Sequence, residues 1–551
     1  GRQFPLSLIH HVVTQPEEEL YRLLASLQSK EFLYEQPAFP EVQYIFKHAL
    51  TQEVAYGTVL QERRKALHER TAQAIEALYR ATLDEHYSEL AHHYSRSGNT
   101  EKAVEYLHLA GHQAVQRSAY TEAASHLRLA LDLLKTLPDT REHTQQELTL
   151  QIALGVTLMA TKGHGVLEVE RVYTRARELC QQIGETPQLF AVLRGLWNFY
   201  LVRAEYKTAH ETAEQFLSLA QRLQDPTFLL GAHEQMGMLL LNLAEWIAAR
   251  EHHEQAMTFY DPQKHRTYVS LYEADLGMWS SAQAAVVLWY LGYPEQALQK
   301  SREALRLASE LGHPHSTDWV LLCAAWLHQL RHEPQEARGL AETAITLSQD
   351  QGFQLWLALG TMLHGWALAM QGQGAAGIAQ IHEGMVACRG LGSEVERSYF
   401  LALLAEARGS AGQSEEGLNV LTEALDFVEK TGARVCEVEI YRLKGELTLQ
   451  QFKDQGSKCQ VANPRHLTPS PQAQAEAEAC FLKAIEIARH QQAKSLELRA
   501  AMSLTRLWQS QGKKNEARQM LAEIYGWFTE GFDTKDLQEA KALLGYVAEG
   551  Q

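Results

Sequence analysis

Leu288-Trp-Tyr-Leu-Gly-Tyr-Pro-Glu-Gln-Ala-Leu298 decides how the rest of the chain is read. An apolar run ends at Gly292, a proline follows at 294, and a small residue stands five positions after the glycine, at Ala297. The same spacing returns at Gly98 and Ala103, Gly372 and Gly377, Gly412 and Gly417, and Gly512 and Ala517. Working outward from Ala297 gives a register of small residues: Ala123, Val169, Ala209, Ala249, Ala297, Ala337, Gly377, Gly417, Ala477 and Ala517. Six of its nine steps are 40 residues. The steps of 46, 48 and 60 each contain a polar stretch that absorbs the excess, at 138–143, 260–267 and 452–471. A fixed period of this length is the mark of a repeat architecture.

A small residue lets one helix lie close against the helix before it. Seven residues on, two helical turns later, a second small residue stands at Ala130, Ala176, Ala256, Ala304, Ala344, Ala424 and Ala484, on the same face. Fifteen residues on comes Gly184, Gly312, Gly352, Gly392 or Gly432, where a helix is capped by left-handed backbone. Each unit is therefore predicted to be a helix hairpin that must stack on its neighbours. The small-residue code resembles the tetratricopeptide repeat, whose usual period is about 34 residues, while HEAT and armadillo units run to about 40–47. The code reports helix contacts and outweighs the length, which one added helical turn changes. The expected fold is all-α: a tetratricopeptide-like solenoid over residues 96–551, with a flexible inserted loop at 452–471. About ten hairpins should form a continuous right-handed superhelix, its concave face lined by the first helix of each. Cys180 and Cys388 share a slot held elsewhere by Ala220, Ala308, Ser348 and Ala488, and read as small core fillers. Trp326 and Trp366 share a slot on the first helix; they read as packing between hairpins, with an aromatic partner-binding row as the alternative.

Residues 1–95 follow a different pattern. Leu6 to Val13 and Pro16 to Gln28 read as two short helices, and 31–35 with 42–46 as a β-hairpin. Two helices and a hairpin wing suggest a small winged-helix unit, joined to the array by an amphipathic helix pair from His48 to Tyr79. Asn99 to Ser118 lies too close to the next hairpin for the 40-residue period, so one helix should serve as a junction.

With 551 residues, 45% of them hydrophobic and 21% charged, the chain has the composition of a soluble folded protein. A net charge of −16 argues against a nucleic-acid partner, and the compact basic run Arg63-Arg64-Lys65 reads as a solvated helix face. The six cysteines have neither zinc nor redox spacing, and a reducing cytoplasm is expected. No apolar run is long enough to span a membrane, and no signal peptide is evident. The chain opens at Gly1 in mid-pattern and reads as a fragment of a longer protein. No P-loop, HExxH, nucleophile elbow or paired-carboxylate motif occurs, so no catalytic residue and no metal site are assigned. The pairs His92-His93 and His252-His253 sit on helices, where adjacent side chains diverge rather than share a metal.

Phe46-Lys-His-Ala-Leu-Thr-Gln-Glu-Val-Ala-Tyr56, followed by Glu62-Arg-Arg-Lys-Ala-Leu-His68, resembles the winged-helix region of bacterial STAND-type signalling ATPases. Nearly the whole chain resembles the C-terminal half of predicted ATPases often joined to a class III adenylate or guanylate cyclase domain. Besides Gly1-Arg-Gln-Phe4 and the stretch quoted first, Glu439-Ile-Tyr-Arg-Leu-Lys-Gly-Glu446, Tyr525-Gly-Trp-Phe-Thr-Glu-Gly-Phe-Asp-Thr534 and Asp536-Leu-Gln-Glu-Ala-Lys541 carry the likeness. The resemblance implies a regulatory and sensing arm controlling an upstream nucleotide-binding domain in cis, with a protein or small ligand on the solenoid. ATP or ADP with Mg would then sit on that upstream domain, and no cofactor on this chain. It also implies a role for His48: a histidine in a comparable winged-helix motif reaches the diphosphate of ADP and keeps the resting state closed. From the residues alone, His48 reads equally as a backbone cap or a solvent-facing ring. A free-standing tetratricopeptide adaptor is the alternative function.

Overall fold

The computed structural model describes residues 3–37, 41–117, 119–184, 187–272, 274–458 and 469–548. Two compact units divide the chain: Gly1–Thr161 with Glu168–Val192, and Lys162–Leu167 with Leu193–Gln551.

The first unit opens with helices Leu6–Val12 and Glu17–Ser29 beside strands β1 (Gln3–Pro5), β2 (Leu33–Gln36) and β3 (Gln43–Phe46). The expected hairpin pairs antiparallel, Leu33 opposite Phe46, and β1 adds a strand on the other side of β3, which the sequence reading lacked. Leu20 and Leu24 pack with Leu33 and Tyr44 to close this small core. The result is two helices and a three-stranded sheet. Helices Ala49–Thr58 and Gln61–Leu78 follow as the expected pair. Tyr87–Ser97 and Thr100–Gln116 then form a hairpin turning at Gly98, whose φ is +91°. Thr100–Gln116 also packs on Tyr120–Leu134, so one helix does serve two hairpins. Arg141–Lys162 and Leu167–Ile183 complete the unit.

Hairpins build the second unit, starting with Gln188–Val202, which runs on from the first unit, and Tyr206–Leu223. Pro226–Asn242 with Trp246–Phe259, Leu276–Tyr290 with Pro294–Leu311, and Pro314–Leu330 with Pro334–Gln351 follow. Gln354–Met370 with Gly374–Gly390, Arg397–Ser410 with Ser414–Thr431, Glu437–Lys458 with Pro471–Gln491, and Lys494–Ser510 with Lys514–Tyr525 complete the array before Lys535–Ala548. The excess at 260–267 is not a plain loop: a 3-10 turn at Pro262–Lys264 leads into a short helix, His265–Tyr272. Of the loop expected at 452–471, residues up to Lys458 continue a helix and Ser470 caps the next one, its Oγ accepting from Ala473 N at 3.1 Å. Residues 459–468 lie outside the described residues.

The small-residue register falls on second helices throughout. Ala123, Ala209, Ala249, Ala297, Ala337, Gly377, Gly417 and Ala517 are each the fourth residue of theirs, and all are buried. Five residues earlier the backbone is left-handed whether or not glycine is present: Gly292 (φ +94°), Gly372 (+86°), Ala204 (+56°), Ala244 (+60°) and His332 (+55°). Helix geometry, not residue choice, sets that turn. The C-terminal slot behaves alike, with Gly312 at +65° and Gly352 at +77° matched by Gln224 and Gln492. Nothing surrounds a Cβ built on Gly312 or Gly352, so only the backbone opposes alanine there. Urea titration should show Gly312→Ala and Gly352→Ala costing about 1 kcal/mol. Ala297→Leu and Ala337→Leu force a large side chain between packed helices and should cost about 1–3 kcal/mol. Equal midpoints for all four variants and the parent would contradict this placement of the helix contacts.

The expected concave face does not stay open. In Leu276–Tyr290 every residue but Leu288 is buried, and Pro314–Leu330 and Lys494–Ser510 are nearly as enclosed. The cause is contact between hairpins far apart in sequence. Glu394 N donates to Val202 O at 2.7 Å, and Arg434 N to Asn242 O at 3.0 Å, each pair 192 residues apart. Ser495 Oγ donates to Trp289 O at 2.5 Å. Trp326 and Trp366 are accordingly core residues, Trp326 against Tyr399 and Trp366 donating to Glu406 at 2.7 Å. Cys180 and Cys388 are buried fillers, as expected.

Candidate functional site

His48 precedes Ala49–Thr58 as its N-cap residue, but its side chain makes no capping bond; only its carbonyl accepts, from Thr51 N at 3.1 Å. The imidazole is exposed. The helix it opens buries none of its residues, leaving Leu50 69% and Val54 58% exposed, with Leu60 beyond it at 79%. The alternation of Ala, Val and Tyr through 49–56 hid this, because the same pattern serves a helix with a partner and one without.

Tyr56 ties this helix inward. Tyr56 OH lies 2.8 Å from His68 Nε2, and His68 Nδ1 lies 2.9 Å from His93 Nδ1. One imidazole must donate while the other accepts, so the accepting ring is neutral. Burial, reinforced by neighbouring cations, lowers His68 to about 4 and His93 to about 3. Among the described residues no group of three His, Cys, Asp or Glu is placed to hold a metal ion. None of the described helices is long and apolar enough to cross a membrane.

In the second unit, the sequence signatures around 288–298, 439–446, 525–534 and 536–541 converge. At their centre is Arg499, 6% exposed, which none of them contains. Its Nε donates to Asp536 at 2.8 Å, Nη1 stands 3.6 Å from Glu439, Nη2 donates to Leu330 O, and the guanidinium lies 4.7 Å over the Trp289 ring. Arg442 adds ion pairs to Glu439 at 2.7 Å and Glu446 at 2.6 Å. Burial would raise the Glu446 carboxyl, but Arg442 and the Ser503 hydroxyl hold it below the usual range. Nearby, Glu530 accepts from Glu295 N at 3.0 Å and Gln296 N at 3.1 Å, capping helix Pro294–Leu311 from 235 residues away. A carboxylate there satisfies free N–H groups and the positive end of the helix dipole. Trp527 packs on Tyr293 and against Gly292. This cluster is a clasp between distant hairpins; its chemistry is ion pairing and capping.

No family model matches the sequence. An uncharacterized protein of Rhizobium meliloti (strain 1021) is 24% identical over 407 residues, which are 73% of this chain and 39% of that protein. The chain thus spans about two-fifths of the relative it matches. Among solved structures, a Rap protein complexed with competence and sporulation factor is 13% identical over 76% of this chain and 99% of its own, with a TM-score of 0.44. A STAND protein with a tetratricopeptide repeat sensor from Pyrococcus horikoshii is 11% identical, covering 90% of this chain and 63% of its own, with a TM-score of 0.35.

Proposed function

We propose that the chain is the regulatory arm of a multidomain bacterial signalling ATPase, with the hairpin array as sensor. Residues 1–95, acting as a winged-helix relay, would bear on an upstream nucleotide-binding core in cis. ATP or ADP with Mg, and any nucleotide cyclase domain, would belong to that upstream part. The observation that carries this reading is the uncovered face at 48–60. An exposed histidine whose side chain makes no capping bond shares this stretch with the exposed Leu50, Val54 and Leu60, and exposed apolar residues gathered in one segment suggest a surface that another body covers. The sequence resemblance supplies the body: a nucleotide-binding core whose ADP diphosphate His48 reaches. An imidazole donates well to phosphate, more strongly when charged. Solenoid ligand binding would then shift the population from the closed, ADP-holding form to the open one.

Hydrogen exchange tests the covered face. In the full-length protein the amides of 49–60 should exchange at least about tenfold more slowly than in this chain alone, because a docked partner suppresses local opening. Equal exchange in both would remove the reason for placing the core there.

A further inference from the structure

Glu396 is an unexpected side chain in the second unit. It is only 5% exposed, and among the described residues neither a hydrogen bond nor an ion pair reaches its carboxylate. Its backbone is left-handed, φ +56°, a strained conformation for a side chain that is not glycine. The fold does not ask for an acid here. At the equivalent register stand Leu276, Ser316 and Trp356. The next hairpin seats its loop by the same bond, Arg434 N to Asn242 O matching Glu394 N to Val202 O, and carries Cys436 instead. A carboxyl group buried without a partner is costly whether it ionises or keeps its proton. A position that bears such a cost where a neutral residue would serve points to function.

The surroundings narrow what the acid meets. Glu396 lines a narrow cavity with Trp319, Trp326, Tyr399, Phe400 and Cys323. Leu322, Leu359 and Leu363 line the rest of this partly open cavity, whose free interior admits a group about the size of one water molecule. The titratable groups facing Glu396 are Tyr206, Cys323 and Cys388 from other helices and Tyr399 from its own. Burial holds all four in their neutral forms. The adjacent Arg397 is engaged elsewhere, pairing with Glu394 at 2.6 Å and Glu423 at 2.7 Å. One carboxylate among aromatic rings suits an organic ammonium: the anion neutralises it and the ring faces attract it. A metal ion fits poorly, since calcium needs six to eight oxygens and magnesium a near-ideal octahedron.

We propose that Glu396, with Trp319, Trp326, Tyr399 and Phe400 around it, binds the ammonium head group of a small primary amine. The assignment gives a chemical class to the ligand of the sensor proposed above, and in that role it rests on that reading. It also explains how binding would be felt. Glu396 ends a loop anchored through Glu394 N to Val202 O, so the head group sits where distant hairpins touch.

The test is calorimetric titration of this 551-residue chain with methylammonium chloride at pH 8, in a sodium chloride background that masks general ionic effects. Saturable binding is expected, with tetramethylammonium at least about tenfold weaker because its head exceeds the water-sized space. Glu396→Gln should reduce methylammonium affinity at least about tenfold, since the compensating charge is gone. Burial places the Glu396 carboxyl at about 7. Wild-type affinity should therefore fall as pH drops from 8 to 6, while the glutamine variant shows no such slope. Methylammonium should also raise the urea midpoint of the wild type and leave that of Glu396→Gln unchanged, which separates lost binding from lost folding. Absence of saturation in the wild type, equal binding of tetramethylammonium, or an unaffected Glu396→Gln would each overturn the site. None of these results touches the covered face at 48–60, which hydrogen exchange tests separately.

Discussion

Replacing Arg499 with leucine should destabilise the second unit by about 3–5 kcal/mol, the cost of removing one member of a buried ion pair and stranding the other. Asp536 and Glu439 would lose their shared cation, Leu330 O its donor, and the Trp289 face its guanidinium. The loss extends beyond one contact, because Arg499 reaches Leu330 O, 169 positions away, and the still more distant Trp289 ring. Arg499→Lys should recover part of the deficit, as an ammonium keeps the charge but cannot make three directed contacts at once. Pairing Arg499→Leu with Asp536→Asn should recover part as well, because the stranded charge is then gone. Urea unfolding followed by tryptophan fluorescence reads this out. An Arg499→Leu midpoint equal to the parent's would show that the clasp does not hold the hairpins together.

Acid should dismantle the two units in order, the first before the second. A histidine buried neutral has a folded pKa below its unfolded value near 6.5, so the unfolded chain binds more protons and stability falls as pH drops below 6.5. Burial puts His68 at about 4 and His93 at about 3 in the first unit. Glu76 adds to the trend at lower pH: burial opposes ionisation, but hydrogen bonds from Tyr106 and Tyr94 bring it below the ordinary value. The second unit holds opposing groups. Burial lowers His164 and His233 to about 4 and His253 to about 3, brings His252 and His313 below their usual value, and carries His332 well below it. Burial also raises Glu234, Asp318 and Glu396 to about 7, and Glu406 above its usual value. Those acids keep a proton in the fold that the unfolded chain releases, so they favour the folded state as pH falls from 7 towards 4.5. Four raised acids offset part of the six histidines between pH 6.5 and 5, while no raised acid opposes His68, His92, His93 and His108 in the first unit. All ten tryptophans lie at 197 or beyond, in the second unit, so fluorescence reports that unit alone. On titration from pH 7 to 5, helical circular dichroism should decline before the tryptophan signal does. Coincident transitions would refute the assignment.

The hairpins were legible because a close helix crossing tolerates only small residues. Ala297 and Ala337 repeat for that reason, and the glycine slots repeat because a hairpin turn needs left-handed backbone. The closure of the unit on itself was not legible. Glu394 and Val202 touch through main-chain atoms, which leave no mark in the choice of side chain. Its charged members did leave one. Arg499 stands eighteen residues before Ala517, a slot held in other hairpins by Trp279, Trp319, Leu359 and Tyr399. Glu396 likewise replaces Leu276, Ser316 or Trp356. A charge in a slot otherwise uncharged, read down the repeat, was the available signal for both. His48 was found through resemblance; its exposure came only with the structure, because nothing in Ala49–Thr58 tells whether a partner covers it.

The central claim is that residues 48–60 meet a nucleotide-holding core, and the dissociation rate of ADP from the full-length protein tests it most directly. Wild type should retain ADP, and His48→Asp should release it at least about tenfold faster, because a carboxylate would replace a donor against the diphosphate. His48→Ala should fall between them. Equal ADP retention in all three proteins, with circular dichroism unchanged, would contradict the claim and leave His48 as an exposed cap residue.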